Sequence, residues 1–299
     1  MTRSTFGILS GLAAFLLWGC LPIFWEQLQE VPASSITAYR IIFSAIVLIP
    51  ILFFRKRLSS TSKTFNEPTL LLKNGAAGAL LSVNWLIYVW ATNNGRVIEI
   101  SLGYYLLPLI YIVIGYFFLK EKISPLQWLA IFFAAIGVVV QAQGLGSIPW
   151  CALGVASTFA TYAVVKKRTK CDGMSALFLE MIITAPFAFV YLLWFAPTLE
   201  GTSDTPASSA TLLLIALTGV ATVAPLLFFS AATKRITLST IGMLQYIAPT
   251  GQFLIGWLYF GESINSTQMI AFSLIWLAVT LYSLSSLFLK QSKTTVKLE

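Results

Sequence analysis

Apolar runs of about 20 residues recur along almost the whole chain and constrain its fold more than any other feature. A helix needs about 20 mostly apolar residues to cross the hydrocarbon core of a bilayer. The sequence contains about ten such runs, separated by short polar segments. The predicted spans are 6–25, 34–54, 70–92, 98–119, 125–141, 148–165, 174–195, 210–233, 238–260 and 266–289.

The composition predicts that the lipid bilayer is the solvent of this chain. Hydrophobic residues make up 58% of the 299 residues and charged residues only 10%, whereas soluble domains carry about 25% charged residues. Backbone polar groups inside a bilayer must be satisfied within the chain, which favours helices or closed barrels. The alternating ten-residue segments of barrel strands are absent, so we expect an all-α integral membrane protein.

The basic residues predict the orientation of the spans. Lys and Arg concentrate in cytoplasmic segments of membrane proteins. With a cytoplasmic N-terminus, Arg96 is the one basic residue in an outer segment and Arg40 lies inside a span. The remaining 17 of the 19 basic residues are then in inner segments: Arg3, Arg55, Lys56, Arg57, Lys63, Lys73, Lys120, Lys122, Lys166, Lys167, Arg168, Lys170, Lys234, Arg235, Lys290, Lys293 and Lys297. We therefore expect both termini in the cytoplasm. The net charge of +8 then reflects the orientation of the chain in the membrane and does not indicate nucleic-acid binding.

The second half of the chain repeats the first after a shift of 141 residues. Matching pairs include Tyr105 with Tyr246, Pro108 with Pro249, Gly115 with Gly256, Glu121 with Glu262 and Gln127 with Gln268. The repeats are predicted to cover 1–142 and 143–290, with a cytoplasmic tail over 291–299. Each half holds five spans, an odd number, so the halves must face opposite ways. Such inverted repeats are typical of carriers that work by alternating access.

The motifs at the end of each half resemble those of the EamA repeat. The first copy has Pro108, Gly115, Glu121 and Gly137, and the second has Pro249, Gly256 and Glu262. Further local features are Trp18-Gly19, Arg40, Asn84-Trp85, Ser101-Leu-Gly-Tyr104 and Gln245-Tyr246. On these residues the chain resembles the drug/metabolite transporter superfamily, and within it the RarD-like branch. Two positions depart from the pattern: Lys120, where the repeat often has Gly, and Ala278 opposite Gly137.

The resemblance implies a multi-pass protein of the bacterial inner membrane with a central cavity. We expect a secondary transporter that moves a small metabolite or drug-like molecule by alternating access, through efflux or exchange. A membrane scaffold or sensor without transport is the alternative. We expect no enzyme, cofactor or metal, because histidine is absent and the three cysteines are not clustered.

Two charged residues are predicted deep inside spans, where a charge costs at least about 2.5–3.5 kcal/mol. Arg40 is expected to attract an anionic group of the substrate. Glu180 is expected to bind a cationic group or a proton, and uncoupled transport stays open. The two positions nearly correspond in the repeats, so a direct ion pair or a structural lock between the halves is the other interpretation.

Polar and aromatic residues on shared helix faces are the remaining candidates. Tyr104 and Gln245 occupy matching positions one turn before Pro108 and Pro249, and prolines inside helices permit bends. Pro225 is a third predicted hinge. The predicted substrate contacts are Arg40, Glu180, Asn84, Trp85, Tyr88, Tyr104, Gln245, Tyr246 and Trp18.

Three further predictions concern structure and not substrate binding. Trp25 is expected at the membrane interface and Glu121 in a turn or helix cap. Gly75 and Gly78 are expected to allow close helix packing.

Overall fold

The computed structural model describes residues 2–28, 30–93, 97–143, 150–196, 209–259 and 266–295, and every regular element in these ranges is a helix. The chain therefore has the all-α architecture that the apolar runs predict. Arg96 and Glu262 lie outside the described residues. The helices are α1 Arg3–Glu26, α2 Ala33–Phe54, α3 Leu58–Phe65, α4 Pro68–Asn93, α5 Val97–Leu119, α6 Pro125–Ala142, α7 Trp150–Arg168, α8 Gly173–Trp194, α9 Ser209–Thr233, α10 Leu238–Gln245, α11 Ile247–Leu258 and α12 Ser266–Thr295.

Five helices in the described part of the chain are long and apolar enough to cross a membrane. They are Arg3–Glu26, Ala33–Phe54, Pro68–Tyr88, Gly173–Trp194 and Ser209–Thr233. Three shorter apolar helical segments are Gly103–Leu119, Pro125–Val140 and Met269–Ser285.

Large apolar side chains point outward from many helices. Phe54 is 80% exposed, Phe187 76% and Leu72 75%. A soluble protein rarely exposes so much contiguous apolar surface, because water does not solvate it. Such a surface fits hydrocarbon chains, and the molecule is a multi-pass membrane protein.

The helices pack in pairs that join the two halves of the chain. α6 packs against α12, and α2 lies against both α8 and α9. α1 contacts α9 and α11, while α7 contacts α4 and α5. The expected close approach at Gly78 is confirmed, because a Cβ there would lie 2.8 Å from the carbonyl oxygen of Glu180 on α8. The absence of a side chain lets the α4 and α8 backbones nearly touch.

α5 ends at Leu119, directly before a tight turn. Lys120, which replaces the usual glycine after α5, has φ 56°. That left-handed conformation is one that glycine adopts at little cost, which explains why glycine is common at this position.

Two predicted elements differ from the structure. The segment between the second and third spans, expected as a polar loop, contains the short helix α3. The ninth span, expected as one helix over 238–260, is divided at Tyr246 into α10 and α11. Pro249 has no N–H for the carbonyl of Gln245, and its ring clashes with that carbonyl in a regular helix. The division therefore lies where the proline interrupts the hydrogen-bond ladder.

Candidate functional site

A cavity of about 410 Å³ lies between the two halves, with walls from eight helices. Seven of the nine predicted contact residues line it, as does the predicted hinge residue Pro249. The lining residues are Trp18, Leu21, Pro22, Trp25, Glu26, Arg40, Leu81, Asn84, Trp85, Tyr88, Tyr104, Phe159, Thr222, Leu226, Gln245, Ala248, Pro249 and Gln252. Aromatic walls with a few convergent polar groups are typical of small-molecule sites.

Arg40 carries the positive charge of this cavity. Its guanidinium carbon lies 4.9 Å from the ring centroid of Trp25 and 4.4 Å from that of Trp85. Its Nε donates to the hydroxyl of Thr222 at 3.0 Å. Among the described residues, no carboxylate lies within 4.0 Å of the guanidinium, although Glu26 also lines the cavity. Two aromatic faces and one hydroxyl thus hold the cation without neutralising it.

Two buried amide side chains border the cavity, and they differ in whether their hydrogen-bonding groups have partners. Asn84 donates from its Nδ2 to the carbonyl of Val155 at 2.8 Å and to the hydroxyl of Thr158 at 3.0 Å. Both of its amide hydrogens are therefore used to join α4 to α7. Gln245 is 4% exposed, and its Oε1 has no hydrogen-bond partner in the described structure. A buried acceptor without a partner is costly, so a bound donor would satisfy it.

The prolines leave two backbone carbonyls without their usual helical donor. Pro108 cannot donate to the carbonyl of Tyr104, and Pro249 cannot donate to the carbonyl of Gln245. Tyr104 and Gln245 both line the cavity and are 141 residues apart. The helix nevertheless stays continuous through Pro108 in α5. Repeat-related positions thus differ in local structure.

A cluster of aromatic rings closes one end of the cavity. Trp18 contacts Phe15, Phe159 and Phe229 with ring centroids 5.5–5.8 Å apart. The Tyr162 ring stacks on Phe229 with centroids 6.2 Å apart and an interplanar angle of 13°. Phe15, Phe229 and Tyr162 are completely buried, so this aromatic cluster separates the cavity from the structure beneath it.

Glu180 lies outside the cavity lining and forms a separate buried ion pair. Its Oε1 accepts from Lys166 Nζ at 2.7 Å, and its Oε2 accepts from the Tyr162 hydroxyl at 3.1 Å. Both charged side chains are essentially inaccessible, at 0% and 1% exposure. Lys166 was predicted just beyond the sixth span, but α7 continues to Arg168 and buries it. A substrate-binding role for Glu180 does not fit this arrangement, since both oxygens are occupied.

Three other predicted residues also lie away from the cavity. Tyr246 is 1% exposed and donates from its hydroxyl to the carbonyl of Tyr105 at 3.3 Å. The Tyr246 hydroxyl therefore bonds to the tyrosine at the matching position of the other repeat, and it is not a cavity-lining group. Pro108 and Pro225 are not among the lining residues, and α9 stays continuous through Pro225.

Sequence reasoning missed several residues of the cavity wall. Trp25 was predicted only as an anchor at the membrane interface, and its ring lies against Arg40 in the cavity wall. Thr222, Phe159 and Glu26 were not predicted as contacts. The mid-span position of Thr222 was one available signal, because a hydroxyl inside a span needs a partner.

Glu121 caps a helix from the other half of the chain. Its carboxylate oxygens accept from the backbone N–H groups of Leu238 at 2.7 Å and Ser239 at 3.0 Å, and from the Ser239 hydroxyl at 2.7 Å. The expected capping role is confirmed, although the capped helix is α10 and not the adjacent α6. Ser124 caps α6 itself, in a capping box with Gln127. A carboxylate at a helix N-terminus is favourable because it meets unpaired N–H groups and the positive dipole end.

The described residues contain no group of three or more His, Cys, Asp or Glu side chains that could hold a metal ion.

Comparisons with known proteins match almost the whole chain. The EamA-like transporter family matches twice, over residues 5–142 and 147–284. An uncharacterized transporter of Pseudomonas aeruginosa is 39% identical, over 93% of this chain and 93% of the relative. YojE, an uncharacterized transporter of Bacillus subtilis, is 39% identical, over 96% of each chain. The RarD protein of Escherichia coli is 35% identical, over 94% of this chain and 95% of the relative.

A solved crystal structure of a chain 21% identical to this one has a similar fold. The TM-score is 0.75, and the alignment covers 95% of this chain and 99% of the other. At that identity the likeness shows the fold alone. The family matches and the relatives at 35–39% identity show the lineage of the sequence. The chain belongs to the EamA-like transporter family, and within it to the RarD-like branch.

Proposed function

We propose that this protein is a secondary transporter that moves a small metabolite or drug-like molecule across the bacterial inner membrane by alternating access. The observation that carries the proposal is the cavity around Arg40. It is lined by helices of both halves and is closed at one end by the aromatic cluster. A carrier needs such a site, reachable from one side of the membrane at a time.

Ten spans in two inverted halves suit this mechanism. α10 and α11 together form one span, and α3 is too short to be one. The helix contacts pair across the halves: α1 with α9 and α11 corresponds to α7 with α4 and α5. The two family matches support the repeats. The basic residues favour cytoplasmic termini.

With that orientation, the cavity faces the outer side of the membrane. The lining residues of α1 lie in its second half, from Trp18 to Glu26, and Arg40 lies in the first half of α2. Those helix portions are on the outer side if the N-terminus is cytoplasmic. The aromatic cluster and the Glu180–Lys166 pair then lie on the cytoplasmic side of the cavity.

The substrate best suited to this cavity is an organic molecule with an anionic group and a hydrogen-bond donor. The anionic group would bind Arg40, whose charge no nearby carboxylate neutralises. The donor would satisfy Gln245 Oε1. Aromatic faces of Trp18, Trp85 and Phe159 would contact its apolar part. Efflux and exchange both suit such a site. Proton coupling through Glu180 would require opening its bonds to Lys166 and Tyr162.

A thermal-stability screen of the purified protein tests the proposal. The panel contains amino acids, organic anions, nucleobases, cell-wall fragments and chloramphenicol-like compounds. A ligand at 100 times its dissociation constant stabilises the folded state by about 2.7 kcal/mol. We expect an anionic ligand whose effect is lost in Arg40→Gln and kept in Lys73→Gln, an exposed basic control. Any hit is then followed by uptake into proteoliposomes.

A ligand that binds equally well to Arg40→Gln would contradict the assignment of the anionic site. A ligand that binds but is never taken up by proteoliposomes would favour a membrane sensor or scaffold over a transporter.

A further inference from the structure

A second pocket, of about 430 Å³, lies at the opposite end of the helices that form the cavity. α1, α7 and α9 contribute to both. On α9 the cavity residue Thr222 and the pocket residue Thr233 are 11 positions apart, which is about 16 Å along a helix. We call this second site the basic pocket, and its lining residues are Arg3, Lys167, Thr169, Lys170, Cys171, Thr233 and Lys234.

Backbone carbonyls accept from three of the four cations of the basic pocket. Lys167 Nζ donates to the carbonyl of Ile236 at 2.7 Å and is 3.4 Å from that of Thr233. Lys234 Nζ donates to the carbonyl of Cys171, and the Arg3 guanidinium donates to the carbonyl of Lys234 at 3.5 Å. These bonds hold the cations without neutralising them. Lys170 and Arg3 are exposed, so the pocket combines partly buried cations with exposed ones.

The carboxylates near the basic pocket are already bound to other groups. Glu121 Oε1 is 3.9 Å from Lys167 Nζ but accepts the N–H of Leu238 at 2.7 Å. Asp172 accepts from the backbone N–H of Ser175 at the start of α8. Neither lines the pocket. Its four cations thus outnumber the anions that approach it.

The Lys234 ammonium group is only partly compensated by its surroundings. Burial, and then the neighbouring charge of Lys166, lower the pKa of Lys234 below its usual value, although Cys171, Asp172 and Glu180 act in the opposite direction. A bound anion would counter both effects, because it supplies opposite charge and hydrogen-bond acceptors to the buried ammonium group.

We propose that the basic pocket binds a phosphate group. Phosphate oxygens accept from several ammonium or guanidinium donors at once, and four cations exceed what a single carboxylate needs. The group can come from an anionic phospholipid or from a soluble phosphate. Basic pockets between membrane helices on the cytoplasmic side are suited to lipid headgroups. This site is independent of the solute that the cavity carries, so it stands or fails separately from the transport proposal.

The general excess of basic residues on this side does not by itself explain the pocket. Lys122 and Lys73 are exposed on the same predicted side and are not among its lining residues. Orientation alone requires basic residues near the membrane, but not their convergence around one concavity.

The test measures the unfolding midpoint of the full chain in neutral detergent at constant ionic strength, with sodium chloride exchanged stepwise for sodium phosphate. Native mass spectrometry compares retention of phosphatidylglycerol with that of phosphatidylethanolamine in parallel. The variants are Lys170→Gln and Lys170→Glu, which change an exposed side chain and should fold, with Lys122→Gln as the matched control. Lys234→Gln is a second variant inside the pocket.

We expect the apparent affinity for the phosphate-bearing probe to fall about tenfold in Lys170→Gln and further in Lys170→Glu, with no change in Lys122→Gln. An effect of inorganic phosphate identifies a soluble ligand, and selective retention of phosphatidylglycerol alone identifies a lipid; either supports the proposal. If neither probe binds, or if Lys122→Gln weakens binding as much as the pocket variants, the proposal is wrong.

Discussion

Arg40 and Glu180 occupy nearly equivalent positions in the two halves, 140 residues apart, yet their surroundings are opposite. Arg40 faces a cavity and contacts two aromatic rings and a hydroxyl. Glu180 is fully enclosed and paired with Lys166 and Tyr162. The Arg40 charge is thus left available to a ligand, whereas the Glu180 charge is paired within the protein.

The same contrast extends to the elements around the two charges. Around Arg40 the helices separate and leave a cavity, and the span that carries Gln245 is divided into α10 and α11. Around Glu180 the helices close, with α4 against α8 at Gly78. The proposed mechanism of alternating access requires such an asymmetry, with one end open and the other closed.

Breaking the buried ion pair between Glu180 and Lys166 should cause the largest loss of stability. Glu180→Gln leaves the Lys166 ammonium group buried without a counter-charge, which should cost about 3–5 kcal/mol of stability. The unfolding midpoint of purified protein measures this loss. Lys166→Met combined with Glu180→Leu should recover most of it, because an apolar pair needs no compensation. Equal stability of Glu180→Gln and the parent chain would contradict the structural role of the pair.

Arg40→Gln should have a small effect on stability and a large effect on ligand binding. No carboxylate loses its partner, so we expect a stability change below about 1 kcal/mol. Binding of an anionic ligand should fall by about 1.5–3 kcal/mol, which corresponds to tenfold or more. Calorimetric titration together with an unfolding curve measures both. A large loss of stability would show that Arg40 is structural, as Glu180 is.

Glu121→Gln should give a smaller effect on the closed side. The amide keeps one accepting oxygen, but its NH2 group then faces a backbone N–H at the start of α10 that the second carboxylate oxygen accepted, and the negative charge at the helix end is lost. We expect a cost of about 1–2 kcal/mol in stability. Lys122→Gln, next to it and exposed, is the control, and a larger loss in the control would contradict the capping role.

Pro249→Ala should have the smallest effect on stability. It shows whether the division of the span at Pro249 matters for transport. The new N–H can bond to the carbonyl of Gln245 and join α10 to α11, so the folded state should change by less than about 1 kcal/mol. Transport should fall, because the break shapes the cavity wall. Pro108→Ala is the matched variant in the unbroken helix α5, and equal losses of transport and folding in both would contradict a hinge function at Pro249.

The sequence was sufficient for the parts of the structure that depend on periodicity and composition. The apolar runs predicted the helices, and the paired prolines predicted which residues border the cavity, including Tyr104 and Gln245. Arg40 was predicted as a substrate contact because a charge inside a span is costly and usually faces a cavity or a partner. These inferences concern single helices or repeat-related positions, for which no tertiary contact needs to be known.

The remaining features depend on which helices meet. Lys166 was predicted in an inner segment just beyond the sixth span, since nothing local shows that α7 continues past it and brings it to Glu180. The fold brings Trp25 against Arg40, a contact that its position near a span end did not predict. Tyr246 turns toward Tyr105 because that face of the helix packs on α5. Each of these outcomes is fixed by packing between distant segments, which one sequence does not specify.

Side-specific cysteine labelling shows whether the cavity opens to the outer side of the membrane. In a chain with Cys20, Cys151 and Cys171 replaced by serine, single cysteines are placed at Tyr88 in the cavity and at Lys170, which is exposed at the opposite end of the helices. A membrane-impermeant maleimide is then added to spheroplasts, from the outer side. We expect that Tyr88→Cys is labelled and Lys170→Cys is not, and that an anionic ligand slows the labelling. Labelling of Tyr88→Cys only from the cytoplasmic side of inverted vesicles would overturn the proposed orientation of the cavity.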